Sequence, residues 1–542
     1  MLGRRSPQLS FFDAQSLPHC VPADSFYGRM AAVSDVLFPD EDLAMMYCPD
    51  NGRPSLPPSL MNGVSLLQFY DNVSDEEAVA RTKFDMRWKV ALNLPLDFPG
   101  FHPTTLTKYR NRVVENEQER YAFDRFITVA RAAGFIPDRV TLLTDTTSVK
   151  GAGAVQDTYT LLRKGMRKLL KAAGFHLPNK RQGFSRQVQA LLERYVDRDC
   201  KADIDWADPQ QRAAELQVLF EDAEAVLELV TREAQTDEEV RYLGWLLTKI
   251  LGDDLVVDDQ GQAQIGQGTA TDRTISITDP EMRHGRKSEA RLFNGFKASV
   301  STDQHSELIL DIADVTASGS DGAHLLPIIK RVEAQTGVTV ERVIGDGAYG
   351  SGKNRAACDN YPGHAVDLVS PLAQPSDPEV DKSAFDIDLD TLTATCPRGH
   401  TVTGQRAGKQ DEQQLWLFAF PRATCEACPL FKRCVRSKKT GRTVRTRAYE
   451  AFLQAARLRQ QTEEFDLLYR LRAAVERKIA ELAQHGLRET RYLGEPKRQL
   501  QRLWTGAAMN LRRLFYLAEA QKVDLVLLLS HLPPSMARWA AA

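Results

Sequence analysis

The sequence predicts an α/β protein in which a mixed β-sheet is flanked by helices and preceded by an all-α N-terminal region. Up to about residue 130, apolar residues recur at three- and four-residue intervals, the spacing of amphipathic helices. The run 140–143 is then apolar on both faces, as a buried central strand is. A second strand, 340–345, follows an intervening set of segments typical of an antiparallel sheet. Two insertions, one helical and one rich in cysteine, complete the predicted fold class.

Composition indicates a multidomain globular protein and leaves its partners open. The chain has 542 residues, a length that predicts about three to four domains. Hydrophobic residues make up 43% and charged residues 26%, and the net charge of −2 neither favours nor excludes a nucleic-acid partner. The first residues lack the apolar region of a signal peptide, and apolar runs stay well below about 18 residues. We therefore expect neither secretion nor insertion in a membrane.

The N-terminal region, 1–130, is predicted to form helices that bind DNA. Its third predicted helix begins near residue 103 with small hydroxyl side chains and has basic residues in its early turns. A three-helix unit of this kind suits a helix-turn-helix-like module. Most three-helix units bind no DNA, so a purely structural bundle is the alternative. The predicted DNA contacts of this region are Lys108, Arg110 and Arg112.

Two aspartates follow predicted strands and are candidate metal ligands. Asp145 is expected at the C-terminal end of the strand 140–143, and Asp346 follows the strand 340–345 between two glycines. A carboxylate beside a buried strand is costly unless it is paired or bound to a metal. The alternatives are that Asp145 caps the turn that follows it and that Asp346 is an ordinary turn residue.

A third candidate carboxylate lies on a predicted amphipathic helix, 465–482. Tyr469, Arg472 and Glu476 are three and four residues apart, so they share one face beside the apolar stripe. A divalent metal needs a carboxylate, a phosphate favours a guanidinium, and an aromatic ring can lie beside them. The alternative is an arginine–glutamate pair on a solvated helix face.

The Cys-rich insertion, at about 374–447, predicts a structural zinc site. Four of the eight cysteines fall in it, with a CxxC pair between two single cysteines. His400 is an alternative fourth ligand, and four reduced free thiols are the alternative to any metal. The predicted zinc ligands are Cys396, Cys425, Cys428 and Cys434.

The same insertion ends in a strongly basic segment. Residues 432–447 contain eight lysines and arginines in sixteen positions and no acidic residue. Such one-sided charge favours contact with a phosphate backbone over a merely solvated loop. The predicted DNA contacts here are Lys438, Lys439 and Arg442.

The order of these motifs resembles that of the DDE transposases of bacterial insertion sequences, whose catalytic domain is RNase H-like. The signature of one group in this family is Tyr, two residues, Arg, three residues, Glu, six residues, Lys. Tyr469, Arg472 and Glu476 match it, whereas the Lys position falls on Ala483 and Lys478 lies elsewhere on the helix. VIGDGAYGS resembles the family's second-Asp motif, TDTTSVKG its first, and HGLRETRYLG its C-terminal region.

The resemblance implies a function and a set of roles. Asp145, Asp346 and Glu476 would hold two Mg²⁺ or Mn²⁺ ions, and Tyr469 and Arg472 would contact phosphate. The enzyme would cut double-stranded DNA at the ends of its element and transfer the 3′-OH ends to target DNA, acting as a homodimer in the bacterial cytoplasm near the nucleoid. The alternatives are a domesticated DNA-binding protein and an RNase H-like nuclease without strand transfer. The predicted divisions are a DNA-binding domain at 1–130, a catalytic domain at 131–520 with insertions at about 155–260 and 374–447, and a tail at 521–542.

Overall fold

A computed structural model of the chain describes most of the sequence. The described residues are 2–3, 17–50, 52, 54–198, 201–233, 237–288, 291–410 and 413–532. The last ten residues of the predicted tail, 521–542, therefore lie outside the described residues. Within the described ranges, no helix is long and apolar enough to cross a membrane.

The chain before the first strand is helical, as the apolar periodicity predicts. Short 3₁₀ helices cover Leu17–Cys20 and Asp40–Met46. The α-helices are α1 (Phe26–Leu37), α2 (Pro58–Asp71), α3 (Asp75–Phe84), α4 (Met86–Ala91), α5 (Thr104–Glu115) and α6 (Tyr121–Ala132). Apolar residues of these helices belong to the same hydrophobic core as the central sheet. The N-terminal helices are thus packed against the sheet and share its core.

A helical insertion follows the strand β1 (Arg139–Lys150). Its elements are α7 (Thr158–Ala172), a 3₁₀ helix (Pro178–Arg181), α8 (Arg186–Leu192), a π-helical segment (Glu193–Arg198), α9 (Pro209–Glu233), α10 (Glu238–Asp254) and the hairpin β2 (Leu255–Val257) and β3 (Ala263–Ile265). The insertion has a hydrophobic core of its own, which extends to Ile277. Its two ends meet, because the Gln156 amide donates to the Ile275 carbonyl at 2.9 Å and the Ile277 amide donates to Gln156 Oε1 at 2.8 Å.

The central sheet is mixed and six-stranded, which confirms the α/β prediction at this level. After β1, its strands are β4 (Arg283–Ser288), β5 (Arg291–Asp303), β6 (Ile309–Thr316), β7 (Thr339–Ile344) and β8 (Asp367–Val369). The strand order is β4-β5-β1-β7-β8, and β6 pairs with β5 outside this path. β5 is antiparallel to β1, β4 and β6, whereas β7 is parallel to β1 and β8. The connecting helices are α11 (Leu325–Thr336), preceded by a 3₁₀ turn (Asp321–His324), and α12 (Gly352–Asp359).

The Cys-rich insertion contains two small three-stranded sheets and two short helices. Its elements, after a 3₁₀ turn (Lys382–Ala384), are β9 (Asp386–Asp388), β10 (Thr393–Thr395), β11 (Thr401–Thr403), β12 (Gln405–Gln410), β13 (Gln413–Ala419), α13 (Arg422–Glu426), α14 (Phe431–Cys434) and β14 (Thr443–Thr446). A separate small core holds them together, formed by Phe385, Ile387, Ala394, Phe418, Phe420 and Val444.

The C-terminal part is helical and contains a long helix that runs through the main core. Its helices are α15 (Glu450–Arg459), α16 (Glu463–Arg470), α17 (Ala473–Gln484), α18 (Glu495–Gln521) and α19 (Leu525–His531). α18 packs against α2, α6 and β6. Its buried Asn510 bonds to both backbone groups of Ile309, accepting from the amide at 2.8 Å and donating to the carbonyl at 2.9 Å. This helix therefore joins the N-terminal helices to the sheet.

Candidate active site

Asp145 lies in the middle of β1, so the prediction that it ends a strand is wrong. Pairing with the parallel strand β7 stops at Leu143, opposite Ile344, but pairing with the antiparallel strand β5 continues to Lys150. The alternative of a turn directly after Asp145 is wrong for the same reason. Asp145 is left where one neighbouring strand has ended and the other continues, which gives its carboxylate room beside the sheet.

Asp346 lies two residues beyond the end of β7, next to this gap. Its Oδ1 accepts a hydrogen bond from the Ala348 amide at 2.9 Å and caps a 3₁₀ turn, Gly347–Tyr349. Both expectations for Asp346, a residue after a strand and a turn residue, thus describe the same position. Gly345 is required by close packing, because a Cβ atom there would lie 2.7 Å from the Tyr349 ring.

The prediction of one continuous helix over 465–482 is wrong, because a turn separates the helices α16 and α17. The Arg472 amide donates to the Tyr469 carbonyl and the Val475 amide to the Arg472 carbonyl, both at 3.1 Å. These three-residue bonds tighten the backbone into a turn, as at many helix ends. Arg472 therefore precedes α17, and Glu476 lies in the first turn of that helix.

Asp145, Asp346 and Glu476 line one cavity of about 400 Å³. Arg472 lies between two of them: its Nη2 donates to Asp145 Oδ2 at 2.9 Å and its Nη1 to Glu476 Oε1 at 2.6 Å. The arginine–glutamate pair proposed as the alternative is therefore present, and it is joined to Asp145. Tyr469 does not line this cavity; its ring stacks on Phe465 with centroids 5.7 Å apart.

The electrostatics of the cavity disfavour charge on its deepest carboxylate. Burial raises the pKa of Asp145, and the neighbouring carboxylates of Asp346 and Glu476 raise it further, while Arg472 lowers it. The net direction is upward, so one guanidinium does not fully offset the desolvation and repulsion. Such a site gains from additional positive charge.

The cavity also contains residues that the sequence patterns did not single out for a role. Asp321, at the turn before α11, accepts from Thr146 Oγ1 at 2.7 Å and from Lys297 Nζ at 2.8 Å. Other cations on the wall are Arg286, Lys287 and Arg488. Local periodicity gave no signal for them, because their elements come together only in the folded sheet.

The three basic residues of α5 have different surroundings. Lys108 is exposed, and the Arg112 guanidinium lies 4.3 Å from the centre of the Tyr47 ring. Arg110 is buried and forms a bidentate pair with Asp75, so the geometry does not support its predicted contact with DNA. The apolar pattern of α5 did not distinguish its buried basic residue from its exposed one.

The basic segment after the cysteines is divided in the same way. Lys438 and Lys439 are exposed. Arg442 instead donates to the carbonyls of Cys434 and Val380, each at 3.2 Å. It therefore holds the Cys-rich loops together, and the geometry does not support its predicted role as a DNA contact.

The four predicted zinc ligands line one small cavity, together with His400. Burial raises the pKa of the Cys434 thiol, and the nearby thiols of Cys425, Cys428 and Cys396 raise it further, against Arg442. None of the four cysteines forms a disulfide bond. Among the described residues, no group of three or more His, Cys, Asp or Glu side chains is arranged to hold a metal ion, here or at the carboxylates. Zinc binding therefore stays a prediction.

Comparisons with known proteins give two family matches. The family described as "Transposase DDE domain" matches residues 395–515, which include the cysteines, α17 and most of α18. The family described as "Transposase domain (DUF772)" matches residues 15–112, most of the N-terminal helical region. No curated protein and no solved structure matches the chain.

Both matches describe the same class of protein, a transposase, from opposite ends of the chain. The order of the motifs and the cavity shared by Asp145, Asp346 and Glu476 agree with them. The two family matches support an insertion-sequence DDE transposase.

Proposed function

We propose that this transposase cleaves phosphodiester bonds at the ends of its element and joins the resulting 3′-OH ends to target DNA. The observation that supports this most strongly is the cavity lined by Asp145, Asp346 and Glu476. The three residues come from a central strand, a strand end and a helix, an arrangement in keeping with an RNase H-like catalytic domain spanning 131–520. Nucleophile and leaving group both belong to DNA or water, so no covalent protein intermediate is needed.

The donor set of the cavity suits Mg²⁺ or Mn²⁺, since both ions prefer carboxylate oxygens. Asp145, Asp346 and Glu476 would hold two such ions, which when bound would activate the attacking hydroxyl and stabilise the leaving oxygen. In the present arrangement Arg472 forms ion pairs with two of the three carboxylates, Asp145 and Glu476. A guanidinium in this position can instead donate two parallel hydrogen bonds to a phosphate. We therefore assign phosphate binding to Arg472, with Tyr469 beside it on the preceding turn.

DNA on either side of the cut would be held by exposed basic residues outside the cavity. Lys108 in the N-terminal region, 1–130, and Lys438 and Lys439 in the Cys-rich insertion are candidates because their ammonium groups are accessible. Two element ends must be brought together for strand transfer, so a homodimer is the assembly we propose. Zn²⁺ on Cys396, Cys425, Cys428 and Cys434 would be structural, because four thiolates leave no open position.

The test is nicking of duplexes taken from the non-coding DNA on either side of the gene. Wild type is expected to nick them in Mg²⁺ but not in EDTA. Asp346→Asn should lower the rate more than about 100-fold, since it removes a charged ligand. The matched control is Asp359→Asn, because Asp359 is exposed on α12 and does not line this cavity.

Equal nicking by wild type and Asp346→Asn would overturn the proposal. A second assay supplies pre-cut duplexes with free 3′-OH ends and a target plasmid. Joined products indicate strand transfer, whereas nicking without joining indicates a nuclease and removes the transfer step from the proposed function.

A further inference from the structure

Two of the five cations that line the cavity already have anionic partners. Arg472 is bonded to Asp145 and Glu476. Lys297 donates to Asp321 Oδ1 at 2.8 Å and to the Gly319 carbonyl at 2.9 Å. These two side chains are therefore occupied, and a phosphate entering the cavity would have to displace a carboxylate to use them.

Lys478, the lysine nearest to the signature position, does not line the cavity. It is buried on α17 and donates to Glu481 at 2.8 Å. The signature position itself, residue 483, is an alanine. Helix α17 thus supplies Glu476 to the cavity but no cation after it.

Arg488, in the loop after α17, is fixed against β1 at the cavity wall. The Lys150 amide donates to the Arg488 carbonyl at 2.8 Å, and the Thr490 amide donates to the Lys150 carbonyl at 2.9 Å. This short parallel bridge continues the sheet beyond β1. Arg488 Nε then donates to Thr147 Oγ1 at 3.2 Å, two residues along β1 from Asp145.

The guanidinium of Arg488 has hydrogen-bond donors that are available to a ligand. One of its five N–H groups is used by Thr147, and within the described ranges its two terminal amino groups have no hydrogen-bond partner. The residue is exposed, so it is accessible from the mouth of the cavity. A fixed backbone and one anchoring bond reduce the entropy lost when the remaining donors bind a ligand.

We propose that Arg488 binds a phosphate of the DNA strand in the cavity, next to the phosphodiester on which the carboxylates act. It would donate two hydrogen bonds from its terminal amino groups to non-bridging oxygens, and so provide the cation that position 483 lacks. The ligand class is the DNA backbone, and the proposal rests on the proposed function. Arg488 is a binding residue for substrate, with no part in proton transfer.

The test measures binding in EDTA, where no cleavage occurs, to the same duplexes from the gene's flanks. One neutral methylphosphonate is placed in turn at the mapped nick and at each neighbouring phosphate. Wild type should bind one of these modified duplexes about tenfold more weakly than the unmodified duplex, as expected for loss of a charged hydrogen-bonding partner. Arg488→Ala should bind the unmodified duplex about tenfold more weakly, lose nothing further at that same phosphate, and reduce the salt slope by about one. Arg488→Lys should keep the slope.

The matched control is Arg139→Ala, because Arg139 lies at the opposite end of β1 and pairs with Glu341 at 3.1 Å. It should bind all duplexes as wild type does. Unfolding in urea checks that Arg488→Ala is folded. If it is not, the same binding measurements on Arg488→Lys take its place. The assignment of Arg488 is overturned if Arg488→Ala and the methylphosphonate weaken binding independently of each other, or if Arg488→Ala binds DNA as wild type does. Neither outcome affects the nicking result for wild type. Failure of wild type to nick overturns the proposed function and this inference with it.

Discussion

Two aspartates in the same sheet illustrate how neighbours set the behaviour of a single residue. Burial and two neighbouring carboxylates hold the pKa of Asp145 above its ordinary value. Burial also opposes ionisation of Asp367, but hydrogen bonds from Arg459 and Arg342 outweigh it and hold the pKa of that carboxyl below its ordinary value. The same residue type is thus electrostatically strained at one site and stabilised at the other.

Replacing each aspartate by asparagine should therefore change stability in opposite directions. In the folded state the pKa of Asp145 lies above its ordinary value of 3.8, so folding binds protons and wild-type stability falls as pH rises from 3.8 through the folded-state pKa. Asp145→Asn should raise the free energy of unfolding at pH 7 by about 0.5–2 kcal/mol, as at other strained functional sites, and the gain should vanish below pH 3.8.

Asp367→Asn is the matched comparison. The ionised Asp367 carboxylate contributes to folding stability above pH 3.8, and this contribution is lost as pH falls through its lower folded-state pKa. The variant should therefore be less stable than wild type at pH 7 by about 1 kcal/mol, allowing for solvent screening. Urea unfolding of the three proteins at pH 7 and pH 3.5 measures these differences. A loss of stability in Asp145→Asn at pH 7 would contradict the account of the cavity given above.

The Cys-rich insertion shows what a small element needs in order to fold. Its core has six buried apolar residues, far fewer than the main core, and its strands are three to seven residues long. Small sheets of this size are marginal without further support. A metal bound by the four cysteines would provide it, because binding energy at a structural zinc site is folding energy.

Cys428→Ser should therefore release zinc and loosen this insertion alone. We expect elemental analysis to show about one zinc per chain in wild type and markedly less in the variant, with faster protease cleavage within 374–447 and little change elsewhere. Cys48→Ser is the control, because Cys48 is an exposed free thiol outside the cluster. Native wild-type protein without zinc, or equal cleavage of the two variants, would refute the four-cysteine site.

At the scale of the whole molecule, the described residues form one large continuous core and three separate smaller ones. The large core runs from the N-terminal helices through the sheet to α18. The helical insertion begins and ends next to this large core at two residues that are neighbours in space, Gln156 and Ile275. An element with its own core and adjacent ends should be separable from the rest of the protein.

Replacing residues 157–274 by a linker of about four residues should leave the remaining chain folded. We expect cooperative urea unfolding with a midpoint close to that of wild type, and circular dichroism reduced by the helix content of α7 to α10. The control is a deletion of α2, Pro58–Asp71, because twelve of its fourteen residues are buried and six of these belong to the large core. That deletion should abolish folding. Equal failure of both deletions would show that the insertion is part of the main folding unit.

The sequence by itself determined the α/β class, the order of two aspartates and a glutamate, and the family, because these depend on local periodicity and motif spacing. Tertiary structure decided that Asp145 lies in mid-strand, that α16 and α17 are separate, and that Arg110 is buried against Asp75. It also brought Asp321 and Arg488 to the cavity. The reason is that each of these depends on contacts between distant residues, such as Arg472 with Asp145 across 327 positions. A periodic pattern tells which side of an element is apolar, but the partner of a charged group is chosen only when the elements pack.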